Sequence, residues 1–114
     1  MSRIRQNFHE EVENAINEQI NMELFAMYTY HAMAVHFDRD DVAHKNFAEF
    51  YKKSSDEERD HANKFMLYIN SRGGRVTLKD IKAPSKLQWT CEESLVDALQ
   101  LEKDVNQVCP DIIF

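Results

Sequence analysis

Glycine and proline are scarce in this chain, with two of each among 114 residues. Three of these four residues, Gly73, Gly74 and Pro84, fall in one short stretch. Glycine and proline most often interrupt regular structure, so their absence elsewhere leaves long unbroken segments on both sides of that stretch. This distribution argues against a sheet-rich fold with many tight turns and favours long helices.

Cysteine is also rare, and the spacing of Cys91 and Cys109 matches no metal-binding pair. The amino-terminal segment lacks the apolar core of a secretory signal, which together with the few cysteines indicates reduced thiols inside the cell. No stretch is apolar for long enough to cross a membrane. We therefore expect a cytoplasmic protein without a membrane partner.

Basic residues are outnumbered, with 14 against 20 acidic residues and a net charge of −6. Nucleic acids are bound by positive surfaces, so this balance disfavours them as partners and favours cations. The length of 114 residues suits one modest domain. Charged residues make up 30% of the chain, which indicates well-solvated outer faces.

Apolar residues recur at helical spacing in three segments of the chain. The first predicted helix runs from about residue 7 to residue 36, and the second from about residue 41 to residue 71. The connection over residues 75–89 is longer than a tight hairpin needs, so we expect it to cross the full length of the pair. A third helix begins near residues 90–92 and ends before Pro110, which cannot continue a helix interior.

The ends of the second helix carry recognisable signals. Asp40 or Asp41 can cap its start, and the Arg-Gly-Gly run at residues 72–74 can end it in a left-handed turn. Two helices of about 30 residues span roughly 45 Å each, whereas the third covers only roughly 25 Å. We therefore expect an all-α fold with two long antiparallel helices, a long crossover and a partial third helix. Such an incomplete bundle leaves apolar surface open.

Carboxylates interrupt the predicted apolar stripe of each helix. The stripes read Ile16, Ile20, Glu23, Met27, Tyr30 and Ala34; Phe47, Tyr51, Ser54, Glu58, His61, Phe65 and Tyr68; and Leu95, Leu99, Glu102 and Val105. A carboxylate in a core stripe costs several kcal/mol unless a partner or a metal compensates it. Three helices with the same feature suggest one shared cause, and bound iron is the best candidate.

The Glu58-Arg59-Asp60-His61 segment supplies the strongest metal-binding spacing. Glu58 and His61 lie side by side on a helix and can bind one ion together, with Glu57 in reach one turn before His61. Glu23 from the facing helix can add a ligand, and Glu102 can supply a further carboxylate that bridges toward a second ion. Oxygen ligands with one imidazole suit iron, and also manganese or zinc.

Each of these residues also has a simpler interpretation. An isolated Glu-x-x-His pair is common on solvated helices, and Glu102 followed by Lys103 can mark such a face. Tyr30, two turns after Glu23, can hydrogen-bond a carboxylate ligand or donate an electron, or it can be a core aromatic whose hydroxyl finds a partner. The other histidines match no carboxylate pattern and are predicted at the surface: His9, His31, His36 and His44. The metal interpretation depends on the fact that Glu23, Glu58, His61 and Glu102 all fall on the predicted inner stripes of their helices.

Six segments of the chain resemble ferritins of the heavy-chain, iron-oxidising type. They read Arg5-Gln-Asn-Phe-His, Ile20-Asn-Met-Glu-Leu, Phe37-Asp-Arg-Asp-Asp-Val-Ala, Ser55-Asp-Glu-Glu-Arg-Asp-His-Ala, Asn70-Ser-Arg-Gly-Gly-Arg-Val and Leu101-Glu-Lys-Asp-Val-Asn-Gln. The resemblance implies a ferritin-like four-helix-bundle fold and an intracellular iron-storage protein. Its partners would be copies of itself or other ferritin subunits, assembled into a 24-subunit hollow shell.

The resemblance further implies a di-iron ferroxidase centre that binds two Fe²⁺ ions and oxidises them to Fe³⁺ with dioxygen. By matching positions, Glu23, Glu58 and His61 are ligands of the first iron, and Glu58 bridges the two ions. Glu102 matches a ligand of the second iron, which replaces the bridging role that spacing suggested for it.

The matching positions also imply roles outside the first iron's ligands. Tyr30 matches the tyrosine beside the centre. Glu57 and Asp60 match acidic residues on the route toward the cavity. Light-chain members lack several of the ligands, so their retention here argues for catalysis over nucleation alone.

The resemblance ends at Gln107. Family members complete the third helix and add a fourth, which supplies a glutamine near the second iron, whereas residues 108–114 resemble nothing in the family. We therefore divide the chain into a partial ferritin-like domain over residues 1–107 and a non-family tail over residues 108–114, as expected for truncation within the third helix.

The missing fourth helix suggests an alternative function. A truncated, non-catalytic variant can act as an oligomerisation or interaction module that docks onto full-length subunits. The apolar faces around Phe47, Phe65 and Leu99 are predicted to be exposed for that contact.

Overall fold

The structure is a computed structural model that describes residues 8–108. Three helices, α1 (Glu10–Phe37), α2 (Lys45–Ser71) and α3 (Cys91–Val108), make up the regular structure of this range, which contains no strand. The predicted all-α class is confirmed. No helix in this range has an apolar segment long enough to cross a membrane.

α1 and α2 form a long antiparallel hairpin joined by a short turn. The amide of His44 donates to the carbonyl of Phe37 at 2.9 Å, which brings the two helix ends together. α2 begins at Lys45, later than predicted, and no side chain caps it. The predicted cap by Asp40 or Asp41 is wrong, since the Asp41 carboxylate instead accepts a 2.8 Å hydrogen bond from an arginine two residues before it.

α2 ends as predicted, in a left-handed turn at a glycine. Gly73 has a φ of 73°, a conformation that costs glycine little because it has no Cβ. Gly74 then passes close to α1 and its flank, where a Cβ would lie 2.6 Å from the Phe8 ring and 2.7 Å from the Glu13 carboxylate. A side chain at Gly74 therefore does not fit unless these neighbours move.

The crossover follows α1 along its length, as predicted. At one end, Asn17 donates to the Arg75 carbonyl at 3.1 Å and accepts from the Thr77 amide at 2.8 Å. At the other end, His36 Nε2 lies 2.8 Å from the Trp89 carbonyl oxygen. The predicted surface position of His36 is wrong, because this contact buries its ring. Because of the crossover, α3 begins beside the turn that joins α1 and α2. It then runs antiparallel to α1.

Two clusters of buried apolar residues fill the structure on either side of its middle. One contains Ala26, Tyr30, Met33, Ala34, Phe37, Tyr51, Trp89, Leu101 and Val105, and the other contains Phe8, Ile16, Ile20, Ala62, Phe65 and Ile69. Along α1, Glu23 falls between the clusters, and along α2 Glu58 does the same. The carboxylates therefore occupy a polar layer between two apolar ones.

The buried face of α2 is rotated from the predicted stripe. Its core side contains Tyr51, Ser55, Glu58, Ala62, Phe65 and Ile69, whereas the predicted Ser54, His61 and Tyr68 are half-buried or exposed. The reason is that α2 packs mainly on α1, so the column with His61 lies toward the open side near α3. Phe65, predicted to be exposed, is buried.

α3 also turns most of its predicted stripe away from the core, although Val105 is buried as predicted. Leu95 and Leu99 are 51% and 59% exposed, whereas Ser94, Leu101 and Val105 are buried. α3 packs against α1, and Leu99 borders a groove between α3 and α2. The prediction of exposed apolar surface is correct at Leu99, while Phe47 is only partly exposed.

Candidate metal centre

Glu23 and Glu58 face each other from α1 and α2, and each is 4% exposed. His61, one turn after Glu58, reaches the same point from the more open side of α2. Its Nδ1 lies 3.6 Å from Glu23 Oε2 and 3.6 Å from Glu58 Oε2. One donor atom from each residue lies within 4.8 Å of the other two. The structure thus brings together three of the predicted ligands.

These separations fit a metal ion better than direct hydrogen bonds. Two atoms 3.6 Å apart can each lie about 2 Å from one ion, the usual distance for carboxylate and imidazole ligands. Glu23 Oε2 and Glu58 Oε2 are buried, and neither has a hydrogen-bond partner among the described residues. Buried carboxylate oxygens without partners are costly, and a divalent cation between them would remove that cost.

The pKa of Glu58 reflects the same cost of burying carboxylates close together. Burial, followed by the neighbouring carboxylates of Glu23 and Glu102, raises the pKa of Glu58 from 4.5 to about 10. Without a cation, the protonated form of Glu58 is therefore favoured. A metal ion would take the place of that proton, because the ion supplies the positive charge that the two carboxylates need.

Glu102 and Tyr30 form a second polar pair beside this cluster. The Tyr30 hydroxyl donates to Glu102 Oε1 at 2.7 Å, which is one of the roles that the sequence allowed for it. Burial and this hydrogen bond raise the pKa of Tyr30, so its hydroxyl keeps its proton and remains a donor. Glu102 is exposed and lies outside the close three-residue group, although its charge acts on Glu58.

Glu57 occupies an exposed position on the groove between α2 and α3. This groove has a volume of about 540 Å³, and Glu58, His61 and Glu102 also line it. Phe50 and Leu99 form part of its apolar rim. The centre therefore opens toward solvent on one side, where Glu57 borders the approach rather than the three-residue group itself.

Sequence reasoning missed one residue that contacts the centre. Gln19 is buried, and its Nε2 donates to Glu23 Oε1 at 3.0 Å and to the Val105 carbonyl at 3.1 Å. The available signal was the spacing, because Gln19 precedes Glu23 by four residues and such pairs can hydrogen-bond along a helix.

Comparison with known proteins gives a consistent result. A family model described as a ferritin-like domain matches residues 13–113. The middle subunit of ferritin from Aquarana catesbeiana is 54% identical over 113 residues, which are 98% of this chain and 64% of that protein. Soma ferritin from Lymnaea stagnalis is 55% identical over 113 residues, 98% of this chain and 65% of that protein.

A third relative extends the similarity to a protein named as a heavy chain. The ferritin-1 heavy chain of Schistosoma mansoni is 53% identical over 114 residues, 99% of this chain and 66% of that protein. The chain therefore spans 64–66% of the length of these relatives. The division of the chain at residue 107 stays a prediction, since residues 109–114 lie outside the described range. With a family model matched over most of its residues and relatives above 50% identity, the chain belongs to the ferritin family.

Proposed function

We propose that this chain is an iron-storage subunit that binds Fe²⁺ at a carboxylate and histidine di-iron centre and oxidises it to Fe³⁺ with dioxygen. The observation that carries the proposal is the convergence of Glu23, Glu58 and His61, with two buried carboxylate oxygens that lack partners among the described residues. Family membership supports iron over manganese or zinc, which the same donor set would accept.

The three close residues suit a first ferrous ion. Glu23 and Glu58 supply negative charge from opposite helices, and His61 supplies a neutral nitrogen from the solvent side. Two carboxylates offset the charge of one Fe²⁺ ion, and they favour the higher charge of Fe³⁺ still more. The ligand set thus promotes the loss of an electron to dioxygen.

A second ferrous ion would lie toward the groove. Glu58 has the position to bridge the two ions, and Glu102 to bind the second, with its carboxylate oriented by the Tyr30 hydroxyl. Glu57 adds negative charge at the groove, where cations enter. Iron is the substrate in this scheme, and two ions held by a shared carboxylate can each give one electron to the same dioxygen molecule.

The test is the initial rate of Fe²⁺ oxidation by dioxygen in the full chain. We expect Glu58→Ala and His61→Ala each to lower the rate of the fast phase at least tenfold, because each removes a ligand. Asp56→Ala is the matched control, since it removes a carboxylate from an exposed position of the same helix away from the groove. Unchanged initial rates in both ligand variants would overturn the assignment.

We propose assembly with copies of itself or with longer ferritin subunits as part of this function, in the cytoplasm. Light scattering coupled to size-exclusion chromatography, with and without Fe²⁺, tests it. A particle of several hundred kilodaltons supports storage within a shell. A monomer or dimer in both conditions would show that the chain alone does not store iron.

A second candidate function is a non-catalytic interaction module that docks onto full-length subunits. It is favoured by the apolar side chains that rim the groove, since Phe50 and Leu99 line it and are each more than half exposed. We expect co-purification with a longer ferritin subunit, and loss of that binding in Leu99→Lys. Binding that survives Leu99→Lys and Phe50→Lys would place the contact elsewhere on the chain.

A further inference from the structure

We propose that Gln19 is a positioning residue for the metal centre, which fixes the Glu23 carboxylate so that a single oxygen, Oε2, faces the ion. The inference rests on the proposed function, because it assigns to Gln19 a role at that same site. Gln19 supplies no ligand atom of its own to the cluster. It acts through Glu23 on one side and through α3 on the other.

The geometry uses both hydrogens of one amide nitrogen. Gln19 Nε2 lies 3.0 Å from Glu23 Oε1 and 3.1 Å from the Val105 carbonyl oxygen. Both acceptors are strong, and both are buried with the amide. A glutamine side chain has two such hydrogens, so these two contacts use its whole donor capacity.

The orientation of the amide follows from its two partners. Reversing it would set the amide oxygen against two other acceptor oxygens, those of Glu23 and Val105. In the orientation observed, Gln19 Oε1 has no hydrogen-bond partner among the described residues. The side chain thus leaves its own acceptor unpaired and keeps both donor contacts, which indicates that the donor contacts determine its position.

As a consequence, the two carboxylate oxygens of Glu23 have different roles. Oε1 is held by Gln19, and Oε2 is the atom that lies 3.6 Å from His61 Nδ1. Oε2 has no hydrogen-bond partner among the described residues. A ligand carboxylate that is hydrogen-bonded on its other oxygen is held in orientation before the metal arrives, as is common for residues next to metal ligands.

The Val105 contact extends this effect to α3. Val105 follows Glu102 by three residues, so both lie on the same side of α3. Gln19 therefore ties the helix that carries Glu23 to the helix that carries Glu102. Loss of the amide should loosen the spacing of the two carboxylates as well as the orientation of one.

Asn17 provides a matched control on the same helix. It is also buried, and it also makes two hydrogen bonds, to the Arg75 carbonyl and from the Thr77 amide. Neither contact involves a residue of the metal centre. A variant of Asn17 therefore measures what the loss of a buried amide tether on α1 does to the fold alone.

The experiment is an anaerobic titration of the full chain with Co²⁺, followed by its visible absorption spectrum. It compares the wild type with Gln19→Met, which keeps the length of the side chain but removes its donors, and with Asn17→Leu and Glu58→Ala. We expect Gln19→Met to weaken Co²⁺ binding about 10-fold to 100-fold and to alter the spectrum. We expect Asn17→Leu to lower thermal stability while its Co²⁺ affinity stays within about twofold.

The outcomes separate the two proposals. Wild-type Co²⁺ binding that Glu58→Ala does not weaken would overturn the metal centre itself. A centre that requires Glu58 but is unchanged in Gln19→Met would overturn the role of Gln19. If Gln19→Met does not fold, Gln19→Asn takes its place, because an amide one methylene shorter cannot reach both acceptors. Equal loss of affinity in Asn17→Leu would assign the effect to the fold.

Discussion

The two sides of α2 differ in how completely they are covered. Toward α1, its Tyr51, Ala62 and Ile69 side chains are fully buried. Toward α3, Phe50 and His61 border an open groove of about 540 Å³. The difference arises because α3 packs on α1 and leaves the space beside α2 open.

This difference divides the candidate ligands into two groups. Glu23 and Glu58 belong to the closed side, where packing holds them in place before any ion binds. His61 and Glu102 belong to the open side, where solvent and ions have access. A site at such a boundary combines two carboxylates held by packing with an opening through which ions can enter. Neither side of α2 alone supplies both features.

Truncating one buried side chain of α2 and one side chain that lines the groove from α3 tests the comparison most directly. Tyr51 stacks on Tyr30 and Phe37 and donates to Ser94 Oγ at 2.8 Å, so Tyr51→Ala should lower the free energy of unfolding by about 3–5 kcal/mol. Leu99 is mostly exposed, and Leu99→Ala should change it by about 0.5 kcal/mol or less. Urea unfolding of the full chain measures both. Comparable losses would mean that the groove is closed in solution.

A second test uses pH to probe the closed side in metal-free protein. The pKa of Glu58 is raised to about 10 in the folded chain from 4.5, so between these values the folded state holds a proton that the unfolded state releases. The free energy of unfolding should therefore fall as pH rises through this window, by up to about 1.4 kcal/mol per pH unit. Below pH 4.5 this contribution is fully present.

The matched variants for this test are adjacent residues. Glu58→Gln should flatten the dependence of the unfolding free energy on pH between 6 and 8, measured by urea unfolding in the presence of a chelator. Glu57→Gln removes the same charge from an exposed position and should leave the slope as it is in the wild type. Equal slopes in wild type and Glu58→Gln would contradict the proposed protonation of Glu58.

The sequence predicted the buried face of α1 closely, that of α2 in part, and that of α3 only at Val105. Tyr51 and Glu58 are buried as predicted, because they lie on the face that α2 turns to α1. The residues on either side of this face recur at the same helical spacing, so the spacing alone does not tell one side from the other. Ala62 is buried and His61 is open because α2 packs mainly on α1, and helical periodicity alone does not show which of these sides faces α1.

The candidate site shows the same limit. The i, i+3 spacing of Glu58 and His61 is a local property, and the structure brings these two residues together as expected. The contact of His36 with Trp89 joins residues 53 positions apart, and no local pattern indicates it. Gln19 was missed for a related reason, since its second partner is a backbone carbonyl on a distant helix.

His36 allows a comparison between the two ends of the crossover. His36→Leu puts an apolar side chain of similar size in place of the imidazole and removes the partner of the buried Trp89 carbonyl, which should lower the free energy of unfolding by about 1–3 kcal/mol. Hydrogen exchange should become faster at the start of α3. Asn17→Leu should instead speed exchange near Thr77. Identical exchange patterns in both variants would show that the crossover opens as one unit.

A smaller effect is expected at the open side of the centre. Tyr30→Phe removes the hydroxyl that donates to Glu102, and because Glu102 is exposed we expect a loss of about 0.5–1.5 kcal/mol in unfolding free energy. A double-mutant cycle with Glu102→Ala separates this pair from its surroundings. A measurable coupling would show that Tyr30 orients Glu102 before any metal binds. Additive effects would mean that Glu102 moves freely in the groove, and the fixed part of the centre would then end at Glu58.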